Sequence, residues 1–254
     1  MIKFFRHIRH SLIQENKIGK YLKYSVGEII LVVIGILIAL QINNWNTHQQ
    51  NLDREQEVLK NLKAEILQNL DELDRDHKIN EEALKACYEL LAIDKTKPVV
   101  PFQIDSLLGK AYDYATFDAR VGVVNDVIAS GKLDLIRDPD LRLLLNQWTG
   151  ELNDYTEDTV IRRNSWSNNF DIISRHIPHR NTDASADRAD YARDYKIKSI
   201  KVPQENYQNF MNDLVVDAFL YSHYFNQSYV TTNEKEIRNF LIKVLDLINK
   251  NIHD

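Results

Sequence analysis

One unbroken apolar run, Ile29 to Leu40, inside the stretch EIILVVIGILIALQINNWN (Glu28 to Asn46), constrains this chain more than any other feature. Its strictly apolar part is shorter than the roughly 18 to 20 residues needed to cross a hydrocarbon core, so the flanks decide the reading. Tyr24 to Trp45 spans 22 residues, about 33 Å of helix at ~1.5 Å per residue, against a hydrocarbon thickness of roughly 30 Å. Tyr21, Tyr24 and Trp45 fall where amphipathic rings anchor a span at its two interfaces. The aliphatic residues favour insertion by about 3 to 6 kcal/mol, and Glu28 lies near the end of the run, where its penalty is small. Residues 24–45 are therefore expected to form a transmembrane helix in contact with the lipid bilayer.

Charge asymmetry sets the orientation. Lys3, Arg6, Arg9, Lys17, Lys20 and Lys23 precede the run with only Glu15 against them, whereas the remainder of the chain holds 26 of the 32 basic and 36 of the 37 acidic residues. The positive-inside rule keeps the N-terminus in the cytoplasm and sends the acidic C-terminal part across the membrane. Within the leader, residues 1–23, Phe5, Ile8 and Leu12 recur at helical spacing. That pattern suits either an amphipathic helix on the inner membrane surface or a solvated leader that only fixes topology. A cleaved secretion signal shares the basic start and short apolar core, but Gln41, Ile42, Asn43 and Asn44 offer no small-residue cleavage pair. The expectation is an uncleaved anchor. Gly27, Leu31, Gly35 and Ala39 recur every four residues along it, so small side chains would let two such helices approach closely. A homodimer through that face and a monomeric, lipid-facing helix both fit.

The block GEIILVVIGILIALQINNWN, preceded by a basic leader ending in KYLKYSV, resembles a family of uncharacterised bacterial single-pass membrane proteins with no assigned function. The likeness is most specific over residues 1 to 46 and extends more weakly to ASGKLDLIRDPDLRLLL, through Gly131, Lys132, Leu133 and the pair Leu141-Arg142. It implies a Gram-negative inner-membrane protein with a helical periplasmic part, and it carries over no catalytic residue.

Beyond the anchor, residues 46–254 read as a helical bundle. Residues 47 to 93 contain neither Gly nor Pro and place Leu52, Leu59, Ile66 and Leu73 seven apart. A second line through Leu62, Leu70, Leu84 and Leu91 is continued imperfectly by Asn80 and Cys87. This is the packing face of a long bundle helix rather than a strict coiled coil. Pro98 and Pro101 break the pattern, and a short helix is expected from Ile104 to Tyr114 with Asp105 or Ser106 as its cap. The helical pattern resumes at Arg120 and is stopped by Gly131; Asp138-Pro139 then starts a helix carrying Leu141, Leu144, Leu145, Trp148, Leu152 and Tyr155 on one side, with a bend allowed at Gly150. Residues 178–203 read as a loop or excursion. From Gln204 the spacing predicts one long helix, or two joined near Thr231 to Asn233. With 7 Gly and 5 Pro in 254 residues, the fold class is all-α: an N-terminal transmembrane helix followed by an elongated, mostly antiparallel bundle.

The chemistry-bearing residues point to no reaction. His176 and His179 have a spacing seen among metal ligands, but Pro178 lies between them and no third ligand can be named, so neither a metal nor a cofactor is expected. Asp183, Asp187, Asp190 and Asp194 could line one helix face, yet Arg188 and Arg193 interleave with them as in a solvated surface. Cys87, the single cysteine, excludes an intramolecular disulfide; on the helix stripe it reads as a buried thiol in preference to an intermolecular bridge. The acidic C-terminal part argues against nucleic acid as a partner. The expected function is a non-enzymatic interaction, scaffold or sensor-like component of the envelope, with an envelope protein as partner. The alternative is a membrane-anchored hydrolase whose metal or carboxylate site is assembled from separate helices.

Overall fold

A computed structural model of the protein describes residues 18–185 and 198–253. Among these residues every regular element is helical: α1 (Ile18–Leu91), α2 (Pro101–Ala111), α3 (Gly122–Ala129), a 3-10 turn (Lys132–Leu135), α4 (Pro139–Asn168), α5 (Phe170–Ser174), α6 (His179–Ser185), α7 (Gln204–Asn212) and α8 (Leu214–Asn251). The all-α expectation holds. Phe5, Ile8 and Leu12 of the leader, and Asp187, Asp190 and Asp194 of the acidic row, lie outside the described residues.

The chain divides into two compact units between Glu57 and Val58. In the first, α1 carries the apolar run with its side chains uncovered: Leu31 is 57% and Ile36 55% exposed. Among the described residues α1 is the one helix long and apolar enough to cross a membrane, and none of its most apolar window is buried.

The second unit is built on the later part of α1, with α4 packed along α8 and α2 against α6. Its interior holds two apolar cores. One gathers Leu59, Leu62, Ile66 and Leu73 of α1 with Leu141, Leu145, Trp148 and Tyr155 of α4 and Val230, Ile237, Leu241 and Val244 of α8. Trp148 stacks on Phe240 there, with ring centroids 5.6 Å apart. The other gathers Ala86, Cys87 and Leu90 with Ile104 and Leu108 of α2, Ile173, Tyr207, Phe210, Phe219 and Leu220. Leu59, Ile66 and Leu73 are buried as their spacing implies, but Leu70, Leu84 and Leu91 are only half-buried. Ala83, Ala86, Cys87 and Leu90 take the inward positions instead.

Local signals explain most boundaries. Asp138 caps α4 by accepting from the amides of Asp140 (2.9 Å) and Leu141 (3.0 Å), with Pro139 in the first turn. Gly131 stops the helical run after α3 in the left-handed region, at φ 72°.

Three expectations are corrected. The helix expected from Ile104 begins at Pro101, whose missing amide costs nothing in a first turn, and Val100 precedes it without a side-chain cap. Asp105 lies inside that helix and is buried, where it accepts from the Tyr207 hydroxyl at 2.8 Å. The C-terminal helices join at Asp213, not near Thr231: its carboxylate caps α8 through the Val215 amide at 2.8 Å, while α8 runs unbroken through Thr231 to Asn233. The stretch from residue 178 opens with helix α6, and Asn181 ties it to the later stretch of irregular chain by exchanging hydrogen bonds with both backbone groups of Ile200, at 2.9 and 2.8 Å. Gly150 leaves α4 unbroken.

Candidate functional site

Between the two apolar cores, α1, α4 and α8 turn polar side chains inward at the same level. From α1 come Asp76, His77 and Asn80; from α4 come Thr159 and Arg162; from α8 come His223, Gln227, Thr231 and Glu234. Eight of these nine are buried and His77 is half-buried. A polar layer in a helical interior is stable only when its members satisfy one another, and the centre of this one does so closely.

Asn80 is the hub. Its Nδ2 donates to Glu234 Oε1 at 2.5 Å and to the Ala115 carbonyl at 3.0 Å. Its Oδ1 accepts from Arg162 Nη1 at 3.0 Å and from the Ala115 amide at 3.2 Å. Gln227 closes the ring by accepting from Arg162 Nη1 (3.3 Å) and donating to the Asn80 carbonyl (2.9 Å). One neutral amide thus links a buried cation to a buried carboxyl group that it does not touch directly. His77 Nδ1 lies 2.7 Å from Glu234 Oε2, and its Nε2 lies 3.2 Å from Glu81 Oε1. Tyr155 donates to Glu234 at 3.4 Å while accepting from the Phe117 amide at 3.0 Å.

The long helix also holds the irregular chain between α2 and α3. Asn69 exchanges hydrogen bonds with both backbone groups of Arg120, each at 2.8 Å, as Asn80 does with Ala115. Glu65 accepts from the amides of Val123 (2.7 Å) and Val124 (3.1 Å), capping α3 from across the bundle. Residues 65, 69, 76 and 80 thus form a polar seam within an otherwise apolar stripe.

Burial dominates the electrostatics. It raises the pKa of Glu234, against hydrogen bonds from His77 and Asn80 that favour the carboxylate. Asp76 is raised for the same first reason, and Arg162 is lowered by burial. His223 is pushed down to about 4, chiefly by burial with the Arg162 charge adding to it. It is therefore neutral near pH 7, and because its Nε2 donates to the Ala111 carbonyl at 3.0 Å, Nδ1 carries the lone pair.

A cavity of about 30 Å³ opens beside this layer, lined by Tyr112, Asp113, Tyr114, Arg162, Trp166 and His223 among others. The Arg162 guanidinium lies over the Tyr114 ring, 4.6 Å from its centroid. Trp166 stacks with Tyr112 at 5.0 Å and lies 4.7 Å from the His223 ring.

Residues 28–155 match the model described as a family of unknown function, DUF6090, which takes in just over half of the chain. The chain belongs to this family. No curated protein and no solved structure matches it. The DUF6090 segment contains the apolar run, Asn69, Asn80 and both loop clamps, and ends at Tyr155; Arg162, His223, Gln227 and Glu234 lie beyond it.

The residues singled out from sequence belong to the first unit. Gly27, Leu31, Gly35 and Ala39 are exposed on α1, and a Cβ built at Gly27 or Gly35 meets nothing within 4 Å. Trp45 is exposed, and the side chains of Tyr21 and Tyr24 lie outside the described part of the structure. The two histidines weighed as ligands have separate partners: His176 Nε2 lies 3.0 Å from Asp213 Oδ2, and His179 stacks on Phe170 at 3.4 Å. Cys87 is fully buried, and its thiol is pushed up to about 12 by burial. The sequence reading missed the polar layer. Its visible traces were Asn80 interrupting the leucine stripe and Arg162 seven residues beyond Tyr155.

Proposed function

We propose that this DUF6090 chain is a single-pass membrane protein of the bacterial inner membrane. Residues 1–23 remain in the cytoplasm, 24–45 span the bilayer, and 46–254 act in the periplasm as a non-enzymatic interaction, scaffold or sensor-like component. The observation that carries this reading is the uncovered apolar run of α1. Soluble surfaces scatter large aliphatic side chains singly, whereas here Ile29 to Ile34 and Ile36 to Ile38 are all exposed on consecutive turns. In hydrocarbon that surface needs no cover, and the helix satisfies its own backbone. The basic leader and acidic remainder support the orientation. A non-enzymatic role fits a polar layer centred on Glu234, whose carboxyl group is taken up by His77, Asn80 and Tyr155. The small-residue face of Gly27, Leu31, Gly35 and Ala39 offers a route to a homodimer in the membrane.

The test is carbonate washing of membranes combined with protease protection of a C-terminally tagged chain. Full-length protein should stay in the washed membrane and be digested only after the outer membrane is permeabilised. Release by carbonate, or protection that persists after permeabilisation, overturns the reading.

A further inference from the structure

Arg162 is only 2% exposed, yet a single nitrogen of its guanidinium is engaged by protein. Nη1 serves Asn80 and Gln227, while Nε and Nη2 have no hydrogen-bond partner among the described residues. Those two nitrogens form the side-on edge whose parallel N–H groups match the two oxygens of a carboxylate. His223, 3% exposed, presents a second unsatisfied atom, its Nδ1 lone pair. Both side chains line the same cavity. Native interiors rarely keep several unsatisfied polar atoms together around one space unless something fills it.

We propose that this cavity binds a small carboxylate, held by the free Nε and Nη2 edge of Arg162. Its volume of about 30 Å³ takes the head of such a molecule or one to two waters. Charge favours the carboxylate. Glu234, the buried acid of the layer, already accepts from His77, Asn80 and Tyr155 and makes no direct bond to Arg162. The guanidinium therefore has two neutral amides and a ring face for neighbours, and no carboxylate is bonded to its remaining edge. Arg163 lines the same cavity, so two positive charges face the single negative charge of Asp113, while Trp166 supplies an apolar wall for a short tail. The His223 lone pair accepts from a hydroxyl or ammonium group on the ligand. This site stands apart from the membrane topology proposed above, so either can fail without the other.

The experiment is calorimetric titration of full-length protein in detergent micelles with sodium acetate and sodium glycolate, each replacing sodium chloride at constant ionic strength. Saturable binding of either acid is expected. Arg162→Lys, which keeps the charge and loses the fork, should weaken it at least tenfold. Because a substitution at a buried hub can disturb folding, Ser167→Phe provides the second arm: Ser167 lines the cavity and is exposed, so the added ring blocks access without entering the core. It should weaken binding while leaving the circular dichroism spectrum and melting temperature unchanged. Neither acid binding to the wild-type chain, or binding untouched by both substitutions, overturns the proposal and leaves a cavity that holds water.

Discussion

Asn80 and Glu234 lie 154 residues apart in sequence and 2.5 Å apart in the fold, and the same asparagine receives Arg162 on its other side. Truncating it removes both hydrogen bonds to Ala115 and leaves a buried cation and a buried acid each short of a partner. Asn80→Ala is expected to destabilise the protein by roughly 3 to 5 kcal/mol, the range for breaking a buried charged network, although it deletes only a neutral side chain. Urea unfolding followed by circular dichroism would measure it. A loss under about 1 kcal/mol would mean that the layer is held by packing rather than by its hub.

Asn80 also marks the limit of what the sequence discloses. Leu59, Ile66 and Leu73 announce themselves by spacing, Asp138-Pro139 by cap chemistry and Gly131 by its role as a stop; all three signals are local and all three hold. The clamps of Asn69 on Arg120 and Asn80 on Ala115 are not local, and their partners are backbone groups, which every residue carries alike. An asparagine on an apolar stripe therefore looks like a flaw in a heptad when it is a fastening for a distant loop. Asp213 stayed hidden for a different reason. Helical spacing runs through it without Gly or Pro, so the junction of α7 and α8 rests on one capping carboxylate. Arg162 lies seven residues beyond Tyr155, on the stripe that α4 turns inward, whereas Arg163 beside it is exposed; a charged residue at that position reads as the point where the apolar face ends.

His223 makes stability depend on pH with a definite sign. The unfolded chain takes up a proton near 6.5, whereas the folded protein resists until about 4. Stability from this residue is intact above about pH 6.5 and falls as the pH drops toward 4, by about 3 kcal/mol. The buried acids Glu234, Asp76 and Asp105 act the opposite way, because raised carboxyl pKa values favour the folded state as pH falls. A comparison with His223→Gln isolates the histidine. The variant should be the less stable at pH 7 through lost ring contacts with Trp166 and Phe219, and the gap should narrow or reverse by pH 4. An equal gap at both pH values would sink this assignment.

Two glycines should respond in opposite directions to the same substitution. Gly150 is exposed inside α4 and has open space where a Cβ would lie, so Gly150→Ala should stabilise by about 1 kcal/mol. Gly131 also has open space, but its φ of 72° penalises any side chain, and Gly131→Ala should destabilise by roughly 1 kcal/mol. Thermal melts of the two variants side by side decide the matter, since a shift of the same sign in both would mean that the backbone conformation at one of them is misassigned.

Self-association of the first unit turns on Gly35. If two α1 helices meet along Gly27, Leu31, Gly35 and Ala39, close backbone approach is what holds them, and a branched side chain at Gly35 forces them apart. A lipid-facing Gly35 gives the reverse expectation, because isoleucine is the more favourable residue in hydrocarbon and would only improve insertion. Val33→Ile is the matched control, two residues away and about 200° round the helix. In a reporter assay of transmembrane self-association, Gly35→Ile should lower the signal several-fold while Val33→Ile leaves it in place. Equal signals from both variants would assign the small-residue face to lipid and make the span monomeric.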